Sequence, residues 1–148
     1  MLKTNDKAPP FVLLDDRGRE FSLAQRAGHK VLLVFYPGDN TPVCTRQLCD
    51  YRDGVEAFAG LGVEVVGISR DSAESHRRFR DKYDLPFTLL TDPDLAVAER
   101  YDSKGILGMK RSVFLVDEEG VIRYLHVESV ALFRRRRDEL LDVIRSLS

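Results

Sequence analysis

The chain predicts an α/β fold, a central mixed sheet flanked by helices, and three observations carry that expectation. Two largely apolar runs, Val31-Leu-Leu-Val-Phe35 and Val63-Glu-Val-Val-Gly-Ile-Ser69, have the length and β-branched content of buried central strands. Segments of helical periodicity alternate with them, the pattern that lays helices over both faces of a sheet through right-handed crossovers. At 148 residues the chain has the size of one domain, so residues 1–148 are expected to fold as a single unit with a full core.

Taken in order, Pro9-Pro10 ends an extended leader and Phe11-Val-Leu-Leu14 reads as a short strand. Asp15-Asp-Arg-Gly18 has the chemistry of a hairpin turn, with Glu20-Phe-Ser-Leu23 as the return strand. After the strand from Val31 to Tyr36 and a turn over Pro37–Asn40, a helix is expected from Pro42 to about Ala59. Gly60 and Gly62 lead into the Val63–Ser69 strand. Asp71-Ser-Ala-Glu74 offers an N-cap and an early acid, opening a helix to about Tyr83. Thr88-Leu-Leu90 is strand-like, and Asp92-Pro93 starts a helix to about Tyr101. Ser103–Lys110 reads as a loop. Ser112–Asp117 and Val121–Val127 are paired antiparallel strands around the Glu118-Glu-Gly120 turn. A last helix covers about Val130 to Leu147, with Leu140, Leu141, Ile144 and Leu147 on one face.

Composition narrows the function. The 23 basic and 24 acidic side chains leave a net charge of −1, no footprint for nucleic acid or an anionic membrane. No apolar run approaches a membrane span, and the start, Met1-Leu-Lys-Thr-Asn-Asp-Lys7, lacks a signal-peptide core. A cytoplasmic protein is expected, and in a reducing compartment two cysteines are not a permanent staple. His29, His76 and His126 show no ligand spacing with Cys44 or Cys49, so neither a metal nor another cofactor is expected.

Both cysteines lie in Pro37-Gly-Asp-Asn-Thr-Pro-Val-Cys-Thr-Arg-Gln-Leu-Cys49, between a strand and a helix. Thr41 suits the N-cap and Pro42 the first helical position, which puts Cys44 third, in the first turn. Unpaired backbone N–H groups and the helix dipole there favour a thiolate, the reactive form of cysteine. At 100° per residue Cys44 shares a stripe with Leu48, Tyr51, Val55 and Phe58, at its exposed end. Cys49 lies about 140° around the helix, with its Cα roughly 8.6 Å from that of Cys44. A disulfide requires less than about 7 Å. The pair can therefore join only if the first turns unwind, and Gly54 is a weak point for that opening.

The segment Phe35-Tyr-Pro-Gly-Asp-Asn-Thr-Pro-Val-Cys44 resembles the active-site motif of the peroxiredoxins. With Cys49 five residues on, it is most similar to their bacterioferritin-comigratory, or Q-type, subfamily. Lys110-Arg-Ser-Val-Phe-Leu-Val-Asp117 resembles the family's arginine-opened late strand. The resemblance spans nearly the whole chain and implies a thioredoxin-like fold and a thiol-dependent peroxidase. It implies Cys44 as the nucleophile that a peroxide oxidises to a sulfenic acid. Thr41 would hydrogen-bond the peroxide and the sulfur, and Pro37 would shape the turn and shield the thiolate. Arg111 would favour the thiolate and stabilise the leaving oxygen. Cys49 would resolve the sulfenic acid to an intramolecular disulfide, reduced by thioredoxin or a similar donor. A monomer is expected, as in many relatives. Two departures bear on substrate preference and on unwinding: the segment between Tyr101 and Arg111 is shorter than in many members, and Val43 stands where glycine is common.

Two rival readings use the same cysteines. A thioredoxin-type disulfide oxidoreductase carries Cys-x-x-Cys and a proline before the late strand, whereas this chain has Cys-x4-Cys and Arg111. A peroxide sensor or holdase would oxidise without efficient turnover. His76, between polar neighbours and Arg77-Arg78, reads as a solvated surface residue, and a Cys–His hydrolase would have to recruit His76 or His126 by folding. The run Arg134–Arg137 reads as a solvated helix whose four side chains point around most of its circumference.

Overall fold

The computed structural model describes residues 1–106, 108–128 and 135–147. The leader runs into a hairpin of β1 (Val12–Asp15) and β2 (Glu20–Ser22). Its turn is set by the Asp15 carboxylate, which accepts from the backbone N–H groups of Arg17 and Arg19 at 2.9 Å. Next come β3 (Lys30–Phe35), α1 (Pro42–Asp53), α2 (Val55–Gly60), β4 (Val63–Ser69), α3 (Ala73–Tyr83), β5 (Thr88–Thr91) and α4 (Ala96–Arg100). A miniature hairpin of β6 (Lys104–Gly105) and β7 (Gly108–Met109) follows, then β8 (Ser112–Val116), β9 (Ile122–Val127) and α5 (Arg137–Ser146).

Seven strands form one mixed sheet in the order β2-β1-β5-β4-β3-β8-β9. The strands β3, β4 and β5 run parallel, while β8 and β1 are antiparallel to their neighbours β3 and β5. At the centre, β3 alternates its side chains between two cores, as a period of two requires. Leu32 and Val34 pack with Cys44 and Leu48 of α1, Phe79 of α3 and Leu140 and Ile144 of α5. Val31, Leu33 and Phe35 pack on the opposite face with Phe11, Val97 and Ala98 of α4, Tyr101 and Phe114. Phe35 is level with both Ile68 and Ser112. That register brings Tyr36, Ser69 and Arg111 to the same end of the sheet, where α1 begins.

Several expected boundaries move. The helix expected to reach Ala59 breaks at Gly54, a poor helix former, and resumes as α2. The Arg137 side chain lies over this break, close enough that a Cβ at Gly54 would meet its Cδ at 3.0 Å. The α4 helix starts at Ala96, not Pro93, because Leu95 takes φ +60°. The Asp92 carboxylate accepts instead from the Val97 and Ala98 N–H groups at 3.2 and 2.8 Å. The loop expected over Ser103–Lys110 holds the β6–β7 hairpin. The expected start of the last helix at Val130 lies outside the described residues, as does Arg134. Arg135 and Arg136 precede α5 and Arg136 is extended, so residues 135–137 do not form a helical turn. Glu139 sets that start by accepting from the Arg136 N–H at 3.2 Å. Leu140, Leu141 and Ile144 are buried as the periodicity predicts, while Leu147 is partly exposed. No helix among the described residues is long and apolar enough to cross a membrane.

Candidate active site

The sheet end described above gathers the residues singled out from the sequence. Tyr36 directly follows β3, the turn over residues 37–41 reverses the chain, and Pro42 opens α1 with Thr41 in extended conformation at the N-cap position. Cys44 is thus the third helical residue, as counted, but its side chain is wholly buried in the core cluster rather than at an exposed end. Its Sγ accepts a hydrogen bond from Arg111 Nη1 at 3.1 Å. Arg111, 3% exposed, directly precedes β8, and the pairing of Ser112 with Phe35 delivers it across the sheet to the sulfur. A helix N-terminus and a guanidinium donor thus converge on one sulfur.

Thr41 departs from its expected capping role. Its hydroxyl donates to the Gly38 carbonyl at 3.1 Å and makes no cap bond to the helix. The bond steadies the turn and leaves the hydroxyl lone pairs unused by it. Pro37 sits in the same turn, partly exposed. Cys49 is five residues along α1, half-buried, and both cysteines are free thiols. Burial pushes the Cys49 thiol above the ordinary range, Asp53 adds to the shift and Arg52 opposes it. With both residues inside one helix, the distance argument against a disulfide in this conformation stands.

Comparison with known proteins decides the family. Residues 4–125 match the model of the AhpC/TSA family. The chain is 42% identical over 143 residues to the chloroplastic peroxiredoxin Q of Sedum lineare, covering 94% of this chain and 76% of that protein. It is 40% identical over 127 residues to peroxiredoxin Bcp of Bacillus subtilis, covering 80% and 81%. The solved bacterioferritin comigratory protein of Xanthomonas campestris superposes with a TM-score of 0.85 at 28% identity, over 93% of this chain and 91% of that one. The chain belongs to the AhpC/TSA family of peroxiredoxins. Within it, the similarity is to the Bcp and Q group, and the mixed sheet flanked by helices is the thioredoxin-like fold of peroxiredoxins. Its activity class is thiol-dependent peroxidase, acting on a peroxide with a thiol as reductant.

Two features of this peroxiredoxin site escape the sequence pattern. Gln47, wholly buried, accepts from Arg111 Nη1 at 2.8 Å through Oε1 and donates to Tyr51 Oη at 3.1 Å through Nε2. Tyr51 Oη in turn donates to the Arg135 carbonyl at 2.5 Å. The signal was available, since Gln47 and Tyr51 fall three and seven residues after Cys44 on the same helix face. His76, expected on the surface, is fully buried. It shares with Phe79 the narrow inward face of α3, a face that the flanking Arg77 and Arg78 conceal in the sequence. Its ring lies 2.8 Å from the carboxylate of Asp39, a residue of the turn before Cys44.

Proposed function

We propose that Cys44 is the residue that attacks the peroxide and that Cys49 resolves the product, with Arg111, Thr41 and Pro37 completing the site. The observation that carries this reading is the 3.1 Å bond from the Arg111 guanidinium to the buried Cys44 sulfur at a helix N-terminus. In the first step the thiolate takes the terminal peroxide oxygen. An S–O bond forms, the O–O bond breaks, and the leaving oxygen departs as alkoxide or hydroxide and takes up a proton from water. Arg111 stabilises that developing charge and keeps its own proton. Thr41 offers lone pairs to the peroxide O–H beside the sulfur, and Pro37 narrows the turn against water. In the second step α1 opens and the Cys49 sulfur attacks the Cys44 sulfenic acid. An S–S bond forms and one water leaves. A thioredoxin-like dithiol then reduces the disulfide and is itself oxidised to a disulfide.

The Xanthomonas relative is described by alkyl peroxide reduction. We extend that range to this chain, with hydrogen peroxide and organic hydroperoxides as substrates. Thiols that must return to the reduced state suit the cytoplasm. We take the working unit to be the single domain of residues 1–148, as a monomer.

The test is intact mass after one equivalent of peroxide. The wild type should lose two hydrogens, and Cys49→Ser should gain one oxygen. Retention of the wild-type rate of peroxide consumption in Cys44→Ser would sink the assignment. Slow turnover with a thioredoxin system would favour the sensor reading instead.

A further inference from the structure

The mechanism leaves unused a buried polar network directly behind the catalytic turn. Asp39, in the middle of that turn, has a side chain only 1% exposed, and the His76 side chain is 0% exposed. The Asp39 carboxylate accepts from Tyr36 Oη at 2.7 Å, Ser75 Oγ at 2.8 Å and His76 Nδ1 at 2.8 Å. On the other side of the ring, His76 Nε2 lies 3.1 Å from the Leu90 carbonyl on β5. A carbonyl and a carboxylate can only accept, so the ring is set between two acceptors. The backbone N–H of Asp39 donates to Asp71 Oδ2 at 2.8 Å, which also accepts from Ser69 Oγ at 2.6 Å. Burial and the adjacent Asp39 charge push the Tyr36 phenol well above its usual range, so it remains a donor. Asp39 is thus held by Tyr36 just after β3 and by Ser75 and His76 of α3, with β5 behind the His76 ring.

The turn also reverses sharply, with Asn40 at φ +62° in the left-handed region that asparagine enters more readily than most residues. Two residues later α1 begins, and two after that comes the sulfur. A displacement of Asp39 is therefore passed to Thr41 and to the helix N-terminus with little chain to absorb it.

We propose that His76 and Asp39 are positioning residues for the peroxide reaction, a buried pair that fixes the catalytic turn to α3 and β5. This rests on Cys44 being the attacking thiol. The pair acts on the oxidation step. Resolution depends on the opening of α1, whose own hydrogen bonds and side-chain tethers do not include His76. The turn stays pinned while the helix beyond Pro42 unwinds, so the site can re-form in register after reduction.

The test separates the two steps. In a Cys49→Ser background, the rate at which the protein gains one oxygen is followed by rapid quench and intact mass. Misplacement by about 1 Å can lower a rate about 100-fold. His76→Leu, which removes both ring bonds, should oxidise about 10- to 100-fold more slowly. His76→Asn, which keeps a donor near the Nδ1 position, should recover to within about threefold of the parent. With Cys49 restored, conversion of the sulfenic acid to the disulfide should keep its wild-type rate in both variants. A merely structural role predicts the reverse pattern, because a loosened fold opens α1 more readily and speeds resolution. Ser75→Ala, at a half-buried position, removes one of the three donors to Asp39 and should slow oxidation several-fold even if His76→Leu does not fold. Wild-type oxidation in a folded His76→Leu or in Ser75→Ala overturns the proposal, as does equal loss in His76→Leu and His76→Asn. Peroxide consumption by Cys44→Ser, measured in parallel, would overturn the underlying reading instead.

Discussion

At the scale of single residues, one guanidinium nitrogen serves two partners, since Arg111 Nη1 donates to both Cys44 Sγ and Gln47 Oε1. Loss of a charged donor aimed at developing charge typically lowers a rate about 100- to 1,000-fold. Arg111→Met should therefore lower kcat/KM for peroxide by that factor, measured from initial rates at limiting peroxide. Arg111→Lys should fall between, because an ammonium keeps the charge without the planar fork. A loss of less than threefold in Arg111→Met would remove Arg111 from the mechanism. Cys49 gives a pH dependence. Its thiol is pushed up by burial within α1, whereas in the opened helix it returns towards about 8.5. Folded-state stability from the neutral thiol is complete below the open-state value and is lost as pH rises through the closed-state one. Rising pH therefore favours both the opened helix and the attacking thiolate, and the sulfenic acid should convert to disulfide faster at pH 9 than at pH 7. A flat profile in rapid-quench mass spectra would show that Cys49 ionisation does not limit resolution. The sequence makes Cys44 legible through Thr41-Pro42, but Arg111 only through the resemblance, because its approach to the sulfur is created by cross-strand register. Gln47 was legible only by its spacing from Cys44, and His76 was hidden because a polar residue on an inward face looks like any other polar residue.

At the scale of elements, the reacting helix is fastened at its far end. Asp50 Oδ2 accepts from the Arg137 N–H at 2.9 Å, the Arg137 side chain approaches Asp50 Oδ1 at 3.5 Å, and Tyr51 donates to the Arg135 carbonyl. These tethers join the last turns of α1, just before the break at Gly54, to the start of α5. Opening of α1 from its N-terminus can stop at this clamp, and how far it spreads depends on the clamp's strength. One backbone bond plus a half-exposed ion pair is worth about 1 kcal/mol, or about fivefold in an equilibrium. Asp50→Ala should thus accelerate disulfide formation about fivefold and leave the peroxide reaction of Cys44 unchanged, both read from quenched mass spectra. Unchanged resolution would mean that opening never reaches the clamp. The weak point at Gly54 was legible, since glycine disfavours a helix interior wherever it stands. The clamp was not, because it depends on where residues 135–137 return in space, and periodicity carries no such information.

At the scale of the molecule, the strands were largely legible because their apolar runs match a period the sheet imposes, whereas the sheet order is set by tertiary pairing. That order makes the redox cycle a question of stability. Cys44, Leu48 and Tyr51 form part of the core between the sheet and its helices, so unwinding α1 removes side chains from a packed interior. Exposing one buried leucine alone costs about 1.5–3 kcal/mol. At about 3 kcal/mol roughly one molecule in 150 is open, enough to permit resolution while the closed, reactive site dominates. The disulfide then holds the opened form, because the closed helix keeps the two Cα atoms beyond bonding reach. The oxidised protein should consequently show less helix by far-ultraviolet circular dichroism and a lower Tm than the reduced protein, the opposite of a stapling disulfide. In the reduced protein, amides of residues 45–50 should exchange with deuterium through local opening, well before those of β3 and β4. Equal helix content and a higher Tm on oxidation would rule out resolution by helix opening, and with it the separate roles of the two cysteines.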